Sequence, residues 1–401
     1  MDFARPDAAT SPTLVARRTS KSQLSPPLRQ DPGETDVPSE PPSPSSPKDI
    51  SPSSELLSPS RVLAHYTGLV LASMIGCLIR LGLDGLADYN GAIIFPLAWS
   101  QGVGCAIMGL AVGKKNEIIL IYPPLYTFIT TGVAGSVTTF SSWMLEGYLS
   151  FSNFYGYNRG GLHDTVDGVG YSFATWLIAL GALHVGDHFA TILPPLHSIS
   201  ASAKRSNLIK RSQDVSSSET KHMSEPIRRK DRVTQPTPIL DYLVILSSAL
   251  SYLVALLLYF FGPTVWRHRA TFPILFAPPG AILRFALAKL NPLKPFINKF
   301  PLGTFLANII ATLVISGVFA AQRLPSAGGS GTRCNALYAI QQGFCGCLST
   351  VSTFVVESRS IKQRRWKWIY VGISVVLGQV CVLAIVGGVG WSQGYVEVCG
   401  E

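Results

Sequence analysis

Two stretches of the sequence share a polar, glycine-interrupted pattern inside apolar surroundings. They read GVAGSVTTFSSWMLE at 132–146 and GFCGCLSTVSTFVVE at 343–357, with glycine, threonine, serine and glutamate at matching positions. Hydroxyl groups donate hydrogen bonds and aromatic rims are partially positive, so both can contact a small anion. Irregular backbone survives at membrane depth only where it is buried in protein or lines a cavity. The pattern therefore predicts two broken helices whose breaks are buried in protein or line a cavity.

The composition indicates a membrane protein. Of 401 residues, 47% are apolar and only 14% are charged, and the mean hydropathy is +0.30. A soluble domain carries about 25% charged residues, and a spanning helix needs roughly 20 mostly apolar residues. Nine such spans are predicted near 62–83, 92–113, 118–149, 166–196, 239–261, 271–290, 301–320, 334–357 and 367–390.

Two polar segments flank or divide the apolar ones. Residues 1–60 contain 12 of the 28 prolines, which predicts a disordered cytoplasmic tail. Residues 199–237, rich in serine, lysine and arginine, predict a basic cytoplasmic linker. The remaining boundaries are a first four-helix repeat at 61–198, a linker helix at 238–262 and a second four-helix repeat at 263–401.

The two motifs belong to a longer internal repeat. GCLIR at 76–80 matches GAILR at 280–284, and PLAWSQGVGCAIMG from Pro96 matches PLGTFLANIIATLVISG from Pro301. The offset between matching residues runs from 204 to 211, so only short loop changes separate the units. Four spans return the chain to its starting side, and the single span at 239–261 inverts the second unit. This order predicts antiparallel repeats related by a pseudo-two-fold axis in the membrane plane.

The basic residues predict an orientation. They concentrate in 199–237 and 359–367, and such clusters mark the cytoplasmic side. The N-terminus is then cytoplasmic and the C-terminus extracellular. Because the charge of +10 lies at helix ends, it does not indicate nucleic-acid binding. The residues that count against this orientation are Arg267, Arg269, Arg323 and Arg333.

The phrase GSVTTFSSW, an arginine on the first helix and an amide on the second helix of each unit resemble the CrcB-type fluoride channels. The fusion of two units through a linker helix looks like the eukaryotic fluoride exporters of that family. The resemblance covers roughly residues 62–390. It implies an all-α membrane protein of the plasma membrane that lets cytoplasmic fluoride leave passively and catalyses no reaction.

The resemblance also implies which residues meet the ion. Fluoride is small and strongly hydrated, so a pore must replace its water with donors and positive ring edges. In the family each aromatic box takes one phenylalanine from each unit. The working pore is assigned Phe140, Phe354, Asn308, Ser141, Ser352, Thr139, Thr350 and Thr353. The complementary set, Val351, Trp143 and Gln101, has lost one ring and changed the other, which predicts a vestigial pore. The sequence leaves the assignment of the two amides open.

Three further expectations follow from the resemblance. A structural sodium ion is expected on the main-chain oxygens of Gly135, Thr138, Gly346 and Ser349. Arg80 and Arg284 are expected to attract anions into a vestibule, with snorkelling or helix capping as the alternative role. The partners are fluoride and the lipid bilayer, without an obligate protein partner, and the fused pair is expected to be monomeric.

Two other functions stay open at this point. An ion- or proton-coupled small-molecule transporter also has inverted repeats and a mid-membrane break, but usually places a titratable residue at the centre of a helix pair. A membrane enzyme needs a nucleophile with a base, or a metal cluster. The sequence has no Gly-x-Ser-x-Gly, His-Glu-x-x-His or phosphate-loop motif, which disfavours the enzyme.

Overall fold

Helices account for the regular secondary structure of the described residues. The computed structural model describes residues 59–195, 238–294, 296–324 and 331–398. The predicted basic linker lies outside these residues. So does the predicted N-terminal tail, apart from its last two positions, which already belong to the first helix.

The first repeat has two continuous helices, a segmented span and a long final helix. They are α1 (Pro59–Ala87), α2 (Pro96–Gly113), α3 (Lys115–Ile121), α4 (Pro123–Thr127), a π-helical turn (Phe128–Ala134), α5 (Gly135–Val137), α6 (Phe140–Phe151) and α7 (Gly161–Ile192). Pro96 opens α2, where its fixed φ and missing N–H suit a helix start.

The second repeat follows the same order. Its elements are α9 (Thr264–Trp266), a π-helical turn (Arg267–Thr271), α10 (Phe272–Ala288), α11 (Leu302–Arg323), α12 (Gly331–Ala339), a π-helical turn (Ile340–Cys345), α13 (Gly346–Leu348), α14 (Val351–Ser360), α15 (Arg364–Val382), a π-helical turn (Leu383–Gly387) and α16 (Gly388–Gln393). Each repeat thus breaks its third span after a π-helical turn and a three-residue helix, which confirms the predicted two-repeat architecture.

The linker helix α8 (Pro238–Phe261) packs along α1. At its start Asp241 is 1% exposed and pairs with Arg61 at 2.8 Å, and it accepts a hydrogen bond of 2.7 Å from the Tyr122 hydroxyl. A buried carboxylate is costly unless it is paired and hydrogen-bonded. The Asp241 cluster therefore fixes the start of α8 against the first repeat, while leucines along the rest of the helix stay exposed, as a lipid-facing helix requires.

Eight helical segments of the described residues are long and apolar enough to cross a membrane. They coincide with eight of the nine predicted spans. The predicted span at 118–149 is the exception, because α3 to α6 are short pieces separated by non-helical residues. Its counterpart in the second repeat, Gly331–Ser360, contains the same kind of break and still qualifies.

Glycine lets α2 and α7 pack closely along each other. A Cβ on Gly109 would lie 2.1 Å from the Leu183 oxygen, and one on Gly186 would lie 2.0 Å from the Ala106 oxygen. Small residues at such crossings are what membrane helices use to approach each other. Since α2 also contacts the π-helical turn before the first break, this helix pair positions that break.

Candidate ion pathway at the two helix breaks

Two extended residues interrupt the third span of each repeat. Thr138 and Thr139 separate α5 from α6 with φ/ψ of −91°/144° and −140°/120°. Ser349 and Thr350 separate α13 from α14 with −84°/158° and −156°/134°. The hydroxyls of Thr139 and Thr350 then cap the restarting helices, each accepting from the backbone N–H three residues later. In each repeat, hydroxyl residues therefore form the extended break, and the second of them caps the helix that follows.

Side chains at the two breaks also cap the helix of the opposite repeat. The Ser352 N–H donates to the Thr138 hydroxyl at 3.1 Å, and the Ser141 N–H donates to the Ser349 hydroxyl at 3.1 Å. From the sequence, Thr138 and Ser349 are expected to act through their main-chain oxygens. The structure adds a role for their side chains, and serine at 349 retains the hydroxyl that this role needs.

The hydroxyl residues of the predicted site form two clusters. In the first, the hydroxyl oxygens of Thr138, Thr350 and Ser352 lie 3.0 to 3.2 Å apart. In the second, those of Thr139, Ser141 and Ser349 lie 2.9 to 3.3 Å apart. Each cluster mixes residues of both repeats and is buried. Thr353 lies at the margin of the first, with its hydroxyl 3.5 Å from that of Thr350.

The two amides hold the backbone of the breaks, and they do so unequally. Asn308 accepts from the Thr350 N–H at 2.8 Å and donates to the Thr350 oxygen at 3.3 Å. Gln101 donates to the Thr139 oxygen at 2.7 Å, whereas its own buried side-chain oxygen has no hydrogen-bond partner in the described structure. Asn308 therefore fixes its break with two bonds and Gln101 with one.

Phe140 and Phe354 meet in the protein interior. Their ring centroids lie 5.4 Å apart with an interplanar angle of 71°, so the rim of one ring faces the other. Both side chains are completely buried. Phe140 is the first residue of α6 and Phe354 lies in the first turn of α14, so each phenylalanine is positioned by a break. The predicted pairing across the repeats is present.

Trp143 contacts this pair as well. Its ring lies edge-on to Phe140 at 5.5 Å and stacks on Trp176 at 6.4 Å, and Trp176 lies edge-on to Phe354 at 5.4 Å. The four rings therefore form a closed cycle. Trp176 was not predicted, because α7 carries no motif that marks it. Val351 is buried in the same hydrophobic core, and the buried indole N–H of Trp143 has no hydrogen-bond partner in the described structure.

A polar network lies next to Phe354. Tyr370 packs against Phe354 at 5.0 Å and donates its hydroxyl to Glu357 at 2.9 Å. The other oxygen of Glu357 accepts from the Thr304 hydroxyl at 2.7 Å and from the Asn291 amide at 2.9 Å. The repeated motif marked Glu357, but no local signal marks its three donors, of which Thr304 and Tyr370 stand on other helices and Asn291 lies in the turn after α10.

Arg80 and Arg284 lie in the interior rather than at an open helix end. Their exposed fractions are 0% and 3%. Arg284 donates to the oxygens of Gly135, Ser349 and Thr131, and Arg80 donates to the oxygens of Ser136 and Gln342. A vestibule residue must face water, so the buried positions do not support the vestibule role or the snorkelling alternative.

The guanidinium of Arg284 bears directly on the expected sodium site. It donates to the main-chain oxygens of Gly135 and Ser349, which are two of the four expected sodium ligands. At a third, Gly346, an added Cβ would lie 2.0 Å from Nη1 of Arg80. Two cations on the same oxygens repel each other strongly in a buried site. These residues therefore do not fit a sodium ion.

A family comparison matches both repeats separately. The model described as "CrcB-like protein, Camphor Resistance (CrcB)" matches residues 67–186 and again residues 271–389. The chain belongs to the CrcB family. This membership establishes a multi-pass membrane protein of a fluoride channel family and excludes the membrane enzyme.

Relatives of this CrcB protein carry fluoride in their names. Fluoride export protein 1 of Neurospora crassa is 30% identical over 385 residues, covering 82% of this chain and 67% of the relative. Fluoride export protein 1 of Candida albicans is 31% identical over 351 residues, covering 81% and 80%. The fluoride-specific ion channel FluC 1 of Prochlorococcus marinus is 35% identical over 122 residues, which is 87% of its own length but 29% of this chain. No solved structure matches significantly.

Proposed function

We propose that this chain is a fluoride-selective channel through which cytoplasmic fluoride leaves passively. The observation that carries the proposal is the contact between Phe140 and Phe354, one from each repeat, at the restart of both broken helices. The names of its relatives, fluoride export protein and fluoride-specific ion channel, indicate that the ion is fluoride. The role of the pair is to present ring edges to the anion.

The hydroxyl clusters supply the remaining contacts. A serine or threonine hydroxyl rotates freely, so it can donate to a neighbouring hydroxyl when the ion is absent and to fluoride when it arrives. Aromatic edges attract an anion weakly, and weak, multiple contacts let an ion enter and leave. In this proposal the ion exchanges its water for Ser141, Ser352 and the threonines beside them, and then passes the phenylalanine pair.

The Glu357 network forms one end of the same pathway. Tyr370 packs against Phe354 and donates to Glu357, which also accepts from Thr304, so a chain of contacts leads from the aromatic pair to both hydroxyls. In the predicted orientation this end of α14 faces the cytoplasm. We assign these two hydroxyls to removing water from fluoride as it enters.

The complementary residues form no second working pathway in this proposal. Val351 offers no ring, and Trp143 packs on the Phe140 side of the working pair. Both Trp143 and Gln101 keep a buried polar atom without a hydrogen-bond partner in the described structure. One of the two ring positions of this set holds no ring, so we regard the set as vestigial.

The proposed orientation puts the N-terminus in the cytoplasm and the C-terminus outside, in the plasma membrane. Cys334 at the start of α12 is disulfide-bonded, and disulfides persist in oxidising compartments. The orientation predicted from the basic residues puts this end of α12 outside. A negative-inside potential then favours exit by about 2.3 kcal/mol per charge per 100 mV.

A coupled exporter is the second candidate, and Glu357 favours it. This carboxyl is half-buried, titratable and one contact away from the aromatic pair through Tyr370. Proton coupling predicts efflux that follows a pH gradient at zero membrane potential and stops in Glu357→Gln. A channel predicts efflux that follows the potential alone, in wild type and in Glu357→Gln.

Fluoride efflux from proteoliposomes tests the proposal. Purified protein is reconstituted with a potassium gradient, valinomycin starts the efflux, and a fluoride electrode records it. We expect fast wild-type efflux that ignores chloride and stops in Phe140→Ile and in Phe354→Ile. Val351→Phe is the matched control, because it changes the complementary position and should leave efflux intact.

The possible results separate the parts of the proposal. No efflux from well-folded wild type rejects the fluoride channel. Wild-type efflux that persists in both isoleucine variants keeps the channel and rejects the assigned pathway. Loss of efflux in Val351→Phe would reject the vestigial assignment.

A further inference from the structure

Two buried arginines join the breaks of the two repeats. Arg80 and Arg284 stand at matching positions, 204 residues apart, on the first membrane span of each repeat. Neither was explained by the pathway described above. Each guanidinium group donates hydrogen bonds to the broken segments of both repeats, so each crosses the interface between them.

Arg284 donates to four oxygens of the two broken spans, while its own buried Nε has no hydrogen-bond partner in the described structure. Its Nη1 donates to the oxygen of Gly135 and, at 3.2 Å, to the oxygen of Ser349. Its Nη2 donates to the oxygen of Thr131 and, at 3.4 Å, to the hydroxyl of Ser136. Three of these partners belong to the first repeat and one to the second. The side chain thus ties the π-helical turn and break of the first repeat to the break of its own repeat.

Arg80 makes the related contacts from the other side. Its Nη2 donates to the oxygen of Gln342, its Nη1 donates to the Gln342 side-chain oxygen at 3.2 Å, and its Nε donates to the Ser136 oxygen at 3.2 Å. Gln342 lies 211 residues after Thr131, which is the offset of the repeated motif. The bond from Arg80 to Gln342 is therefore the pseudo-symmetric mate of the bond from Arg284 to Thr131.

The chemistry of the interface explains why a cation is needed there. Breaking a helix frees main-chain oxygens, and in a membrane interior these must find donors or a positive charge. A guanidinium group is always charged and has five N–H donors in a fixed plane, so one group serves several oxygens at once. The oxygens that receive these bonds are neutral carbonyl, amide and hydroxyl oxygens, the same type that would bind a sodium ion.

We infer that the guanidinium groups of Arg80 and Arg284 are the structural cations at the interface of the two breaks, in place of a bound sodium ion. The proposal goes beyond the fluoride pathway, since it concerns what holds the repeats together. It predicts that both the fold and the flux of this chain are independent of sodium.

The first test uses the wild-type protein. The purified protein is dialysed into N-methyl-D-glucamine chloride, and its thermal midpoint is measured as sodium, potassium or more N-methyl-D-glucamine is added to 150 mM. A ligand that binds the folded state raises the midpoint with its concentration. We expect the three salts to give the same curve. A rise specific to sodium would overturn the proposal, whatever the protein transports.

The second test removes one guanidinium. Arg284→Ala leaves a cavity lined by carbonyl oxygens, so its thermal midpoint should fall and should partly recover with a few millimolar guanidinium chloride. Arg359→Ala is the matched control, because Arg359 is exposed and pairs with Asp187 at 3.0 Å at the protein surface. The control should show no recovery with guanidinium.

Other outcomes of this second test also decide the question. An Arg284→Ala protein as stable as wild type would overturn the proposal, as would recovery by guanidinium in the control to the same degree. Should Arg284→Ala fail to fold, Arg284→Lys replaces it. Lysine keeps the charge but not the planar set of donors, so we expect a lowered midpoint, and a midpoint equal to that of wild type would count against a guanidinium-specific role.

Discussion

The two repeats contribute equally to the hydroxyl clusters and unequally to the aromatic pair. Thr138 and Ser349 each cap the helix of the other repeat at 3.1 Å. By contrast, Phe140 faces Phe354, while the matching positions hold Val351 and Trp143. Groups that join the repeats are needed on both sides of the interface, whereas groups that line one pathway are needed once. In the proposed pathway, this difference separates the residues of the duplicated motif that join the repeats from those that would line one pore.

The largest effect is expected when the family residues are restored at the complementary positions Val351, Trp143 and Gln101. Phe354→Ile should reduce efflux roughly 100-fold, the size of effect that deletion of one donor to an anion has in a buried site. Adding Val351→Phe, Trp143→Phe and Gln101→Asn to that variant should restore at least about tenfold of the efflux, which is about 1.4 kcal/mol of barrier. The proteoliposome assay measures both. If the folded quadruple variant shows no more efflux than protein-free liposomes, residues outside these positions prevent the complementary pathway from conducting.

The next largest difference is expected between the side-chain amides of Asn308 and Gln101, in the stability lost when each is removed. Asn308→Ala removes two bonds to Thr350 and leaves its buried N–H unsatisfied, so we expect a loss of about 2–4 kcal/mol of stability. Gln101→Ala removes one bond and one already unpartnered oxygen, so the loss should be about 1 kcal/mol or less. The shift of the thermal midpoint in detergent measures the difference. Equal shifts would contradict the asymmetry of the two breaks.

The Thr138 and Ser349 hydroxyls, which cap the helix of the opposite repeat, should contribute equally to stability. Thr138→Ala and Ser349→Ala each delete a hydroxyl that caps the opposite helix, and each should cost about 1–2 kcal/mol of stability. Thr138→Ser is the matched control, because it keeps the hydroxyl and should stay close to wild type. If Ser349 acted only through its main-chain oxygen, Ser349→Ala would be neutral.

The smallest effect is expected at the vestigial set. Trp143→Phe removes a buried indole N–H without a hydrogen-bond partner in the described structure and keeps a ring beside Phe140. Loss of an unsatisfied donor offsets loss of contact area, so stability should change by less than about 1 kcal/mol. Efflux should also remain within about twofold, less than 1 kcal/mol of barrier. A large fall in efflux would place Trp143 in the working pathway.

Much of the site was predictable because the motif is local. The hydroxyl residues, both phenylalanines and both amides were identified from the repeated phrase and its resemblance, and the structure brings them together. Tyr370, Thr304 and Trp176 were not identified, since each stands alone on a helix without a repeated or polar pattern. The arginines were identified as important but were expected in a water-filled vestibule, because spacing along a helix does not tell how deeply a side chain is buried.

The order of the apolar segments, the duplication and the two breaks can be predicted from the sequence alone. Apolar length, glycine and hydroxyl residues act on their immediate neighbours, so the linear pattern contains that information. Only the tertiary structure decided what the polar groups contact. The cross-repeat caps join residues 208 and 214 apart, and the bonds from Arg284 to the first repeat span 148 to 153 residues. Packing of one repeat against the other creates those partners, and no local signal in the chain encodes them.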